Sequence, residues 1–215
     1  MNSKILNITV FLVAILCVAV PCVLIQGQYL VNGNISWLLM AADRLLQGQS
    51  LSEHIYETNP PLSIMAYVPH VLFSKVTGLP LPVASFYVTS LFVIMSVLTV
   101  HKMIGYFHHL TSTQRLSFTA CYLLSVTLIT TVFYSDREHL ILLGLIPFVL
   151  CQFALMERIQ LPRILTYGVC FIGALCVLIK PHYGLLPTAF LFSRMFQHRQ
   201  LNFFKEIDFL ALAII

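Results

Sequence analysis

Apolar runs of membrane-spanning length recur along this chain, and they restrict its fold more than any other feature. They are Ile5–Ile25, Pro82–Val100, Leu116–Phe133, Leu140–Met156, Ile164–Ile179 and Leu185–Phe196, with a last one starting near Ile207. Hydrocarbon offers no partner to a backbone N–H or C=O, so a crossing segment of about 20 residues satisfies its own groups by becoming a helix. The expected fold is therefore all-α: a polytopic transmembrane helical bundle, with residues 1–215 forming one transmembrane domain. Ile5–Ile25 follows Lys4 and has no small-x-small cleavage site after it, and Pro21 spoils the lipoprotein-like Ala19-Val20-Pro21-Cys22. It reads as an uncleaved first span. The closing run Phe209–Ile215 lacks a polar tail, which predicts the N-terminal portion of a longer protein.

Residues 26–80 form the expected first outer loop, carrying interfacial or re-entrant helices. The pattern predicts a helix over Trp37–Gln47, with Ser36 as N-cap and Gly48 just past its end. Asp43, Arg44 and Gln47 share one stripe of it, while Trp37, Leu38, Ala41, Leu45 and Leu46 turn the other way. That division suits a helix lying in the interface, with Trp37 at headgroup level. The next apolar segment, Pro61–Val76, is short for a span and is interrupted by Pro69-His70.

Charge asymmetry decides between spanning and re-entrant readings of Pro61–Val76. If it does not span, Lys4, Lys102, Arg115, Arg158, Arg163, Arg194, Arg199 and Lys205 fall on one side, and only Arg44, Lys75, Arg137 and Lys180 on the other. If it spans, most of the cations face outward. The positive-inside rule favours the first arrangement. Asp43, Glu53, Glu57, Asp136 and Glu138 then converge on the outer face with His54, His139, Lys180 and His182.

With charged residues at 9% and apolar ones at 59%, each ionisable group is informative. The net charge of +4 is spread between spans, which is the pattern of cytoplasmic loops and not of a nucleic-acid partner. The six cysteines (Cys17, Cys22, Cys121, Cys151, Cys170 and Cys176) all fall in apolar runs without metal-ligand spacing and read as small hydrophobes. His54, His70 and the His108-His109 pair read as ordinary interfacial histidines.

Three outer-face constellations stand out. In Tyr56-Glu57-Thr58-Asn59-Pro60-Pro61-Leu62, the double proline restricts the backbone and holds Glu57 in a defined place. Tyr134-Ser135-Asp136-Arg137-Glu138-His139 is a dense charged turn. It is either a local ion-pair network or, with its carboxylates engaged elsewhere, a source of a free Arg137 for an anion. Lys180-Pro181-His182-Tyr183 ends a span with a cation that either snorkels or meets an anionic partner.

In this order, with the preceding Trp37-Leu38-Leu39-Met40-Ala41-Ala42-Asp43-Arg44-Leu45-Leu46-Gln47-Gly48, these elements resemble the bacterial GT-C integral-membrane glycosyltransferases. That group includes the protein mannosyltransferases and the lipid A aminoarabinose transferase. The resemblance implies a multi-pass protein of the bacterial inner membrane whose periplasmic face moves a sugar from a polyprenyl-phosphate donor to a lipid, glycan or protein acceptor. It implies catalytic roles around Glu57 and donor-phosphate binding by Arg137, Lys180 and His182. A divalent metal is the implied candidate cofactor, with Glu57 and His139 as candidate ligands. Where such enzymes carry a first acidic residue, this chain has Asn34, and an amide is no general base. Either Asp43 or another carboxylate substitutes, or the base lies in a further C-terminal part, or the protein is a catalytically inactive or truncated relative.

Overall fold

A computed structural model describes residues 31–55, 57–130 and 133–198, together with Leu16 and Leu24. The expected first span Ile5–Ile25 as a unit, the run from Ile207, Tyr56, and the charges Lys4, Arg199 and Lys205 lie outside the described residues.

All regular structure among the described residues is helical. It comprises α1 (Gly33–Leu46), α2 (Leu62–Met65), α3 (Val68–Thr77), α4 (Leu81–Ile104), α5 (Ser112–Leu124), α6 (Arg137–Met156), α7 (Arg163–Ile179) and α8 (Leu185–His198). Helices α4 and α6 are long and apolar enough to cross a membrane, and α7 is a shorter apolar helix.

The helix boundaries follow from local chemistry. Helix α1 starts earlier than expected because Asn32, not Ser36, caps it, its side-chain oxygen accepting the Ile35 N–H at 2.9 Å. Gly48, at φ 83°, supplies the left-handed residue that ends it. Pro69 does not break the segment after Pro61; it sits in the first turn of α3, where its missing N–H costs nothing. The break falls at Ala66-Tyr67, leaving two short helices where one apolar segment was expected. Helix α5 begins with a capping box between Thr111 and Gln114 and passes into a π-helical stretch, Ser125–Ile129.

Side-chain pairings fix the helix directions. Thr89 meets Ser135 and Ser96 meets the Leu143 carbonyl, so α4 and α6 run parallel. Ser96 meets Tyr122 and His101 meets Thr119, so α5 runs against α4. Helix α7 runs against α6: a Cβ on Gly144 would lie 2.5 Å from Cys176 Sγ, and one on Gly173 would lie 2.6 Å from the Phe148 ring. Those two glycines let the helices approach closely. Cys151, Cys170 and Cys176 are buried in this α6–α7 core as expected, whereas Cys121 is exposed.

The bundle thus has two ends. The connections α4–α5 and α6–α7 share one, near Lys102, Arg115, Arg158 and Arg163. The start of α6 and the end of α7 share the other. A separate apolar cluster joins α1 to α2 and α3 through Ile35, Leu38, Leu39, Ile64, Tyr67 and Val71. Through it the start of α1 stands over the start of α6.

Candidate functional site

The start of α6 presents three consecutive charged residues, of which Asp136 and Arg137 share Asn34 while Glu138 turns to α7. Asp136 caps the helix: Oδ1 accepts the Arg137 N–H at 2.6 Å and the Asn34 Nδ2–H at 2.7 Å, and Oδ2 faces Asn32 Nδ2 at 3.5 Å. Glu138 pairs with Lys180 at the end of α7. Arg137 points to the space between them. Its Nη2 donates to Asn34 Oδ1 at 3.2 Å, and its Nη1 lies 3.7 Å from Glu57 Oε1.

Both of Arg137's sequence neighbours are therefore engaged elsewhere, and the local ion-pair reading of this turn does not hold. Arg137 is 9% exposed, and among the described residues its Nε and Nη1 have no hydrogen-bond acceptor. Glu57 supplies its counter-charge at 3.7 Å, while hydrogen-bonding capacity on Nε and Nη1 stays unspent among the described residues.

Glu57 is fixed from three sides. Oε1 accepts the Asn59 side chain at 2.5 Å and the Asn59 N–H at 3.0 Å, while Oε2 accepts the Trp37 indole N–H at 3.2 Å. Burial alone would raise its pKa. The Asn59 and Trp37 hydrogen bonds and the Arg137 charge outweigh burial and hold the carboxyl below its ordinary range.

The other expected site residues fall differently. Asn34 belongs to the polar cluster at the start of α6, called the mouth below, as a bridge between Asp136 and Arg137. Asp43 does not: it pairs with Lys75 of α3 at 2.7 Å and accepts from Gln47 at 2.8 Å. His182 lies on the exposed 3₁₀ turn Pro181–Gly184, its ring tilted on Tyr183 with centroids 4.6 Å apart. Arg137 and Lys180 flank the mouth, each with its own carboxylate, and are not one joint pair. His139 is buried with both ring nitrogens committed: Nδ1 accepts the Ser135 N–H at 3.2 Å and Nε2 donates to the Val126 carbonyl at 2.8 Å. It has no lone pair for a metal. Among the described residues no three His, Cys, Asp or Glu side chains converge as a metal site.

Trp37, Asn59 and Asn32 join the site without having been singled out for it. Asn59 lies within the Glu57–Pro61 motif, which was a usable signal, whereas nothing in the sequence tied Asn32 or the Trp37 indole to a carboxylate. Comparison with protein-family models, curated proteins and solved structures finds no match for this chain.

Proposed function

We propose that this chain is the membrane portion of a polytopic GT-C-like glycosyltransferase whose mouth, opening on the periplasmic face of the bacterial inner membrane, takes the phosphate of a polyprenyl-phosphate sugar. The observation that carries the reading is Arg137, buried beside the held Glu57 carboxylate with hydrogen-bond donors unspent among the described residues. The motif resemblance and the two candidate membrane spans support it.

In this reading the donor phosphate binds Arg137, and Lys180 turns from Glu138 to share its charge. An acceptor hydroxyl or amine attacks the anomeric carbon, the bond to the lipid phosphate oxygen breaks, and the anomeric centre inverts. The leaving phosphate keeps the electron pair, and its charge is met by the two cations. Glu57 accepts a hydrogen bond from the acceptor and orients it, and the acceptor's proton passes to the departing phosphate oxygen or to water as the new bond forms. Its lowered pKa suits that role better than final proton storage, because a strong acid is a weak base.

Asn34 favours a second reading: a lipid-phosphate-binding membrane protein without transfer activity, since the amide braces the mouth and takes no proton. Binding tests the shared premise. Lys180→Glu and Arg137→Gln should each weaken polyprenyl-phosphate binding by about 1–3 kcal/mol, the scale of a charge-assisted contact. Equal affinity in both variants and the parent would discard the anion site. Sugar transfer by the complete protein then separates enzyme from binder.

A further inference from the structure

Beneath the mouth lies a buried polar knot centred on Ser135. This residue has φ 70°, a left-handed conformation that a serine adopts at a cost. It is buried, and each of its polar groups is taken. Its N–H donates to His139 Nδ1 at 3.2 Å, and its carbonyl accepts the Tyr67 hydroxyl at 2.7 Å. Its Oγ hydrogen-bonds Thr89 Oγ1 at 2.8 Å, and Thr89 is braced in turn by His70 Nε2 at 3.2 Å. His139 is itself pinned to the Val126 carbonyl in the π-helical stretch.

Helix α6, helix α4 and the break between α2 and α3 thus grip one residue from three directions. That residue immediately precedes Asp136 and Arg137. The backbone direction at Ser135 determines where α6 begins, and so which way the next side chains leave it. A turn needed only for packing would be served by glycine, which enters this region without strain. Here a strained serine is retained, with its side chain fully bonded.

We propose that Ser135 is a positioning residue, whose three-way anchorage aims the Arg137 guanidinium across the mouth at Asn34 and Glu57. Its functional meaning rests on the anion-site reading of that mouth.

The test uses the full chain in lipid nanodiscs, with farnesyl phosphate as the probe. Thr89→Ser keeps the hydroxyl that holds Ser135 Oγ, and Thr89→Val removes it at similar volume. The serine variant should bind like the parent, while the valine variant should lose about five-fold or more, the scale of one hydrogen bond. A second readout needs no ligand: the energetic coupling between Arg137→Gln and Glu57→Gln, taken from unfolding midpoints, should persist in Thr89→Ser and vanish in Thr89→Val. Should Thr89→Val not fold, Ser135→Gly replaces it, since it permits the left-handed turn and deletes only the Oγ contact. Unchanged affinity and unchanged coupling in the variant lacking the hydroxyl bond would overturn the proposal. Absence of farnesyl phosphate binding by the parent would sink the anion-site reading, and the coupling measurement would still decide whether Ser135 positions Arg137.

Discussion

Asn34 donates its amide hydrogen to Asp136 Oδ1 at 2.7 Å, while its carbonyl oxygen accepts from Arg137 at 3.2 Å. An aspartate at position 34 would lose the donor and set a second carboxylate against the first. The amide is therefore what this particular mouth requires, given Asp136 opposite. We expect Asn34→Asp to lower stability by about 1 kcal/mol, from the lost hydrogen bond of an exposed amide to the buried Asp136 carboxylate and from like-charge contact. Adding Asp136→Asn should restore much of it by swapping the donor to the other side. Unfolding midpoints of the two single variants and the double variant check this; a double variant worse than either single one counts against the bridge.

Glu57→Gln should abolish sugar transfer by the complete protein while leaving membrane insertion intact. The amide keeps the size but lacks the charge facing Arg137 and the acceptor strength needed to orient a nucleophile. In vitro transfer and protease protection are the two measurements. Turnover near the parent value would remove Glu57 from any role in the chemistry.

The same carboxylate sets a pH dependence. Its pKa is lower in the folded protein than in the unfolded chain, so its contribution to stability is complete above the ordinary glutamate range. That contribution is lost as pH falls from about 5 through the lowered value. In this window the parent should lose unfolding midpoint more steeply than Glu57→Gln, and above about pH 6 the two curves should run parallel. Parallel curves throughout would show that the Asn59, Trp37 and Arg137 contacts do not favour the ionised form.

Helices α6 and α7 should tolerate no added side chain at their crossing. Gly173→Ala places a methyl 2.6 Å from the Phe148 ring, and Gly144→Ala places one 2.5 Å from Cys176 Sγ. Overpacking costs about 1–3 kcal/mol, which exceeds the gain of up to about 1 kcal/mol from replacing a helical glycine. Cys176→Ala should relieve Gly144→Ala only in part, because the added methyl also meets Ile172 Cγ2 at 2.8 Å, and should leave Gly173→Ala unrelieved. Unfolding midpoints of the parent, the three single variants and the two double variants with Cys176→Ala give the answer directly.

Topology supplies a further test. Asp136–His139 and Lys180–His182 should face the periplasm, and His108–Arg115 and 194–205 the cytoplasm. In a cysteine-free background, Ser112→Cys should resist an impermeant thiol reagent in intact spheroplasts, and a cysteine at His182 should react. Labelling at 112 would invert the map.

Much of the helical layout was legible because apolar run length and turn residues act locally. Helices α4, α6 and α7 fall close to the runs Pro82–Val100, Leu140–Met156 and Ile164–Ile179, and Gly48 ends α1 where its chemistry indicated. The start of α1 was ambiguous for a physical reason: Asn32, Asn34 and Ser36 all have capping side chains, and tertiary contact with Asp136 commits Asn34 elsewhere. Glu57, Arg137 and Lys180 were recognisable as residues out of place in an apolar chain. Their partners were not, because which carboxylate meets which cation depends on how α1 and α7 lie against the start of α6. Ser135 had no signal at all, since its backbone angle is imposed by Tyr67, Thr89 and His139.

The division of Asp136, Arg137 and Glu138 between early and late partners has a bearing on synthesis. Asn34 and Glu57 leave the ribosome long before Arg137, and Lys180 emerges later still, so the mouth is assembled from pieces made at widely separated times. Until α6 is in place, Asn34 lacks both of its partners there and Glu57 keeps only its ties to Trp37 and Asn59. The Asn34 contacts span 102 and 103 residues, and at about 5–20 residues per second the chain that completes them is made seconds after the early helices can form. The apolar helices can therefore form first, and the polar mouth closes last, as the step that registers correct docking of the early and late halves of the chain.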